Sequence, residues 1–147
     1  MADANTISGR VLEALVSAGL VTADQVSAAE GAAVAEGVTP GFLLVKRDLV
    51  TPVQIGNVLE DELGIPRVDL ASYAPDDSAL QIVPASVAHG RGVLPLFEIE
   101  GMLTVAIGDS VDVFMLDDLA AELNLEIEAV LADEASVKEA IAQYYGP

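Results

Sequence analysis

Apolar residues at Ile7, Val11, Leu12, Leu15 and Val16 recur at helical spacing and predict a helix over residues 7–18. Gly19 ends it, because a glycine just past the last turn accepts the left-handed backbone that closes a helix. Thr22 opens a second helix. Gln25 follows three residues later, a spacing at which hydroxyl and amide each satisfy an otherwise orphan backbone N–H group. The alanine-rich stretch beyond it carries the helix to about Glu36, before Gly37.

The pattern then repeats. Leu20-Val-Thr-Ala-Asp-Gln-Val26 returns 29 residues later as Leu49-Val-Thr-Pro-Val-Gln-Ile55, and Leu15-Val16 returns as Leu44-Val45. Pro52 takes the first helical position, where its missing N–H costs nothing, and Thr51 with Gln54 rebuilds the capping pair. Residues 1–63 therefore read as a four-helix subdomain made from a duplicated helix–turn–helix. Such a duplication serves either packing alone or two pseudo-equivalent surfaces for a ligand with internal symmetry. Spacing by itself favours packing.

Residues 64–147 change period. Residues 65–70 alternate in part and carry Pro66 at their start, which predicts an edge strand. A polar turn at 74–78 leads to a short helix at 79–82, and Pro84 starts another with Val87 and Ala88 inward. Val93-Leu-Pro-Leu-Phe-Glu-Ile99 and Met102-Leu-Thr-Val-Ala-Ile107 flank Glu100-Gly101, the signature of a tight hairpin. Residues 112–123 form an amphipathic helix with Val113, Leu116, Leu119 and Ala120 on one face. Residues 126–131 form a strand, and 133–145 a last helix whose acidic start suits the helix dipole. The expected order is β-α-β-β-α-β-α, so the fold class is α+β: a small sheet packed with helices beside the four-helix subdomain.

Charge narrows the function. The chain holds 24 acidic and 6 basic residues, a net charge of −18, and 52% apolar residues in 147. It can bury a core, but it has almost nothing with which to replace the counterions of phosphates, which excludes nucleic acid as a partner. With no cysteine and a single histidine, His89, thiolate and multi-histidine metal centres are excluded within one chain. No stretch approaches a membrane span, so no direct membrane insertion is expected, and the first residues lack the basic start of a secretory signal. A cytoplasmic protein is the expectation.

Chemistry-bearing motifs are few. The chain has no phosphate loop, no Gly-x-Ser-x-Gly and no calcium loop. Paired carboxylates at Asp76-Asp77 and Asp117-Asp118, and spaced ones at Asp109 and Asp112, read as solvated faces in so acidic a chain. His89 reads as a helix-end residue, and Lys46, Arg47 and Arg67 as surface cations. No enzyme, cofactor or metal site is expected.

Gly64-Ile-Pro-Arg-Val-Asp-Leu70, Val93-Leu-Pro-Leu96, Leu103-Thr-Val-Ala-Ile-Gly-Asp109, Leu116-Asp-Asp-Leu119 and Ala140-Ile-Ala-Gln-Tyr-Tyr-Gly146 occur in an order and spacing that resemble the N-terminal domain of type II secretion and type IV pilus assembly ATPases. The helical repeat resembles the preceding half of that domain, which in some members binds cyclic di-GMP. The resemblance implies a domain joined through its C-terminal end to a catalytic domain that these residues do not include. It also implies docking to a protein partner, such as a membrane-platform protein or an assembly ATPase, that would hold the chain at the inner membrane.

For the nucleotide, the resemblance carries over Arg10, Leu15 and Gly19 in the first copy, and Gly41 and Leu44 in the second. Val16, Leu20, Val21 and Val26 also fit the first copy, and Val45, Leu49, Val50, Ile55 and Leu59 the second. The departures fall on ligand positions. Leu12 stands for a glycine, Glu30 for a leucine and Ala33 for a glutamine; Thr39 stands for an arginine, Asp48 for a glycine and Glu62 for a glutamine. A side chain at Leu12 blocks close approach of a phosphate to the backbone, and Asp48 or Glu62 would repel a dianion. Cyclic di-GMP is therefore the alternative reading, and a stand-alone scaffold in an unrelated system the second alternative. A non-catalytic protein-interaction module leads.

Overall fold

The computed structural model describes residues 6–146. Residues 1–5, read above as carrying no secretory signal, and Pro147 lie outside it. Four helices open the chain: α1 (Ile7–Ser17), α2 (Ala23–Glu36), α3 (Pro40–Lys46) and α4 (Pro52–Asp61). Both predicted capping boxes form. Thr22 Oγ1 accepts from the Gln25 N–H at 3.1 Å while Gln25 Oε1 accepts from the Thr22 N–H at 2.9 Å. Thr51 and Gln54 make the same pair at the same two distances.

The copies also share their turns. The Gly19 and Leu20 N–H groups bond to the carbonyls of Val16 and Leu15, and those of Asp48 and Leu49 bond to Val45 and Leu44. Gly19 sits at φ 77° and Asp48 at φ 59°, both in the left-handed region. Leu15, Leu44, Ile55 and Leu59 point inward with no exposed surface.

After α4 the chain runs through a 3-10 turn (Leu70–Ser72), α5 (Asp77–Ile82) and α6 (Ala85–Arg91) to the hairpin β1 (Val93–Ile99) and β2 (Met102–Ile107). Glu100 and Gly101 both take positive φ, 52° and 85°, as a two-residue hairpin turn requires. A second 3-10 segment (Ser110–Met115) precedes α7 (Leu116–Leu123), then β3 (Glu126–Leu131) and α8 (Glu134–Tyr145) follow. The sheet order is β1-β2-β3, with β1 antiparallel and β3 parallel to β2. The α7 crossover makes the parallel pairing possible.

Two expectations change. The strand expected over residues 65–70 shrinks to one parallel bridge between Arg67 and Leu131. Pro66 has no N–H to donate, and Asp69 ends the extended run by accepting from the Ala71 N–H at 3.0 Å to open the 3-10 turn. The helix expected over 112–123 is split. Asp109 accepts from the Val111 N–H at 3.0 Å and starts a tighter 3-10 segment before α7 takes over. The α+β class itself holds.

One buried cluster runs from Leu15 and Leu44 through Phe114 to Leu103 and Ile107. At its centre Phe114, 4% exposed, lies against Gly41: a Cβ on Gly41 would stand 2.0 Å from the ring. Gly108 has a similar role at the end of β2, where a Cβ would stand 2.5 Å from the Glu134 backbone and push α8 away.

Candidate functional site

The helical half and the sheet meet along the segment from Ser110 to Asp117, and three contacts hold them. Asp117 Oδ1 and Oδ2 accept from the Ile7 and Ser8 N–H groups at 3.0 and 2.9 Å. Thr6 Oγ1 accepts from Gly9 at 2.9 Å, so the first three donors of α1 are met by side chains from two parts of the chain. This corrects the solvated reading of Asp117: the open N-terminus of α1 demands acceptors, and a carboxylate suits its positive end. Phe114 fills the space over Gly41, and Ser110 Oγ donates to the Pro52 carbonyl at 2.5 Å.

The five residues carried over by resemblance part company here. Leu15 and Leu44 are wholly buried, so neither presents a surface to a purine. Gly41 is buried under Phe114. Gly19 is exposed in its turn. Arg10 is exposed on α1 and lines two grooves, neither of which Leu15, Gly19, Gly41 or Leu44 reaches. The smaller groove sets Arg10 beside Glu13 and Glu62, so carboxylates crowd the cation an anionic ligand would use. The departures have local causes too. Leu12 is 3% exposed in the core. Thr39 caps α3, accepting from the Phe42 N–H at 3.2 Å.

The larger groove, about 490 Å³, is walled by α1 through Ile7 and Arg10, by residues 63–66, and by the four consecutive residues 127–130 of β3. Tyr73, Phe97 and Met102 add apolar surface. No sequence signal pointed to it, because the free edge of β3 depends on where residues 65–70 stop pairing.

The other singled-out residues are structural. Arg67 pairs with Glu60 at 3.2 Å, Arg91 pairs with Glu122, and Lys46 lies 5.9 Å from the Phe42 ring centre. His89, in the last turn of α6, contacts the Gly146 carbonyl through Nε2 at 2.8 Å. Tyr145 donates to the Leu80 carbonyl at 3.1 Å, and burial pushes its phenol up to about 12. Burial, then the charges of Asp109 and Glu134, raises the Asp112 carboxyl to about 7 against an opposing pull from Lys138. Among the described residues no group of three potential ligands could hold a metal ion, and no helix is long and apolar enough to cross a membrane.

The MshEN domain family matches residues 63–147, more than half of the chain. The chain belongs to that family. The type IV pilus assembly ATPase PilB of Myxococcus xanthus (strain DK1622) is 31% identical over 139 residues, 95% of this chain and 25% of PilB. The chain thus spans about a quarter of that curated relative. Among solved structures, MshE with cdg (cyclic di-GMP) superposes with a TM-score of 0.55 at 26% identity, covering 92% of this chain and 98% of the other. The N-terminal domain of XpsE superposes at 0.57 and 20% identity over 99% and 100% of the two chains, a likeness of fold. These 147 residues are the N-terminal type of domain found in secretion and pilus ATPases, without an ATPase domain.

Proposed function

We propose that the chain is a non-catalytic interaction module that docks onto a protein partner of a pilus or secretion assembly machine, and is held at the cytoplasmic face of the inner membrane by it. The observation that carries this reading is the fate of the ligand positions. Leu15, Leu44 and Gly41 are spent on the core, and Arg10 shares its smaller groove with Glu13 and Glu62. Apolar positions that a helical bundle needs are kept, while those that would meet a phosphate are filled or made acidic. A large groove with a mainly apolar wall stays open beside a sheet edge. The test is calorimetric titration against the cytoplasmic region of the membrane-platform protein from the same cell. Binding with one-to-one stoichiometry is expected; its absence contradicts the reading.

Cyclic di-GMP is the second reading, favoured by the likeness to MshE with cdg and by the exposure of Arg10. In it Arg10 holds a phosphate or guanine edge. Heat on titrating the dinucleotide, lost in Arg10→Ala, supports it; no heat at millimolar ligand removes it.

A further inference from the structure

We infer that the free edge of β3 takes an extended, basic peptide segment of the protein partner, added as a fourth strand. This rests on the docking reading above and names its surface and the partner's chemistry.

Backbone alternation defines the edge. The Glu126 and Ala132 N–H groups bond to the carbonyls of Gly101 and Ile107, so residues of that parity face β2. Leu131 faces outward, donating to the Pro66 carbonyl and accepting from the Val68 N–H, both at 2.8 Å. The register with β2 is unbroken from Glu126 to Leu131, so Ile127 and Ala129 also turn N–H and C=O outward. Among the described residues no hydrogen bond uses those four groups. An unpaired edge of this kind is a template for another strand.

The groove meets this edge. Besides residues 127–130 of β3 it is lined by Met102 and Thr104 of β2 and by Phe97 of β1, so it runs from the edge across one face of the sheet. Its opposite wall, residues 63–66, closes onto β3 at the parallel bridge of Arg67 with Leu131. The cleft opens where that pairing stops. Tyr73, 43% exposed, lines the same groove and can receive a side chain of an added strand.

Charge selects the occupant. Natural sheets commonly block their edges with lysine or proline, and β3 has neither: its exposed residues include Glu126 and Glu128. A second copy of this chain would set those carboxylates, and a charge of −18, against their like. An acidic peptide meets the same field. A strand with lysine or arginine at alternate positions instead pairs with Glu126 and Glu128 and is steered in by the net charge, while Arg10 on the far wall can donate to its carbonyls.

The test is NMR-detected amide exchange on the whole chain. The probes are a set of synthetic heptapeptides alternating lysine with valine, isoleucine, leucine or phenylalanine, a matched glutamate set, and the platform protein's cytoplasmic region. At a lysine-peptide concentration near ten times Kd, exchange at Ile127 and Ala129 slows about tenfold, while Glu128 and Val130, which face β2, do not change. Glu128→Lys, at an exposed position that leaves the fold intact, weakens binding about fivefold. No slowing at Ile127 and Ala129 with any lysine peptide, or equal slowing by the glutamate set, overturns the inference. If the platform protein binds but protects only amides of the helical half, the edge inference falls and the docking reading stands. If it does not bind while lysine peptides protect the edge, the converse holds.

Discussion

The two copies of the helix–turn–helix share one backbone and differ in what presses on them. From the turn onward they agree to the hydrogen bond: Gly19 with Asp48, Thr22 with Thr51, Gln25 with Gln54. Upstream they diverge. The first copy opens with the eleven-residue α1, capped across the molecule by Asp117, and carries Leu12 in the core. The second opens with the seven-residue α3, capped locally by Thr39, and carries Gly41 under Phe114. The same 3-10 segment and the start of α7 thus meet one copy through a carboxylate and the other through an aromatic ring. The two copies share the apolar frame and differ where each meets the sheet half.

The strongest way to break this comparison is to make the copies alike at Gly41. Gly41→Ala places a methyl inside the Phe114 ring and should destabilise the chain by about 2–3 kcal/mol in urea unfolding. The penalty should shrink in a Phe114→Leu background; an unchanged penalty there would place the strain elsewhere. Next comes Asp117→Ala, which strips two acceptors from the α1 N-terminus and should cost about 1–2 kcal/mol. The shared caps give the control: Thr22→Val and Thr51→Val should each cost about 1 kcal/mol, and a large inequality would show that the copies are not equivalent there.

A smaller effect, of opposite sign, is expected at the turns. Asp48 holds a left-handed backbone that Gly19 holds without strain, so Asp48→Gly should raise stability by about 0.5–1 kcal/mol. The joining segment also has a pH signature. Asp112 ionises near pH 7 in the folded chain against an ordinary value of 3.8. Its raised pKa means that stability falls as pH rises from about 4 toward 7 and is then flat. Asp112→Asn should therefore raise the melting temperature at pH 8 and leave it nearly unchanged at pH 4; an equal effect at both would exclude this titration as the cause.

Much of the helical half was legible because its signals are local. A cap acts three residues away, a left-handed turn acts on its own backbone, and Thr22, Gly37, Thr51 and the hairpin at Glu100-Gly101 all appear where their sequence places them. What escaped was long-range. Nothing near Asp117 in sequence marks it as the cap of a helix that begins 110 residues earlier. Gly41 matched a ligand motif while serving a ring from the other half, and Leu15 and Leu44 matched it while serving the core. Residues 65–70 had the composition of a strand, yet Pro66 and Asp69 left only one bridge, and that failure to pair is what frees the β3 edge.

The most direct test of the proposed docking is a calorimetric titration of the chain with the proposed partner, the cytoplasmic region of a pilus or secretion membrane-platform protein from the same cell, run with and without saturating cyclic di-GMP. One-to-one binding heat that the dinucleotide does not alter is expected. No heat with the protein, together with dinucleotide heat that disappears in Arg10→Ala, would contradict the docking reading.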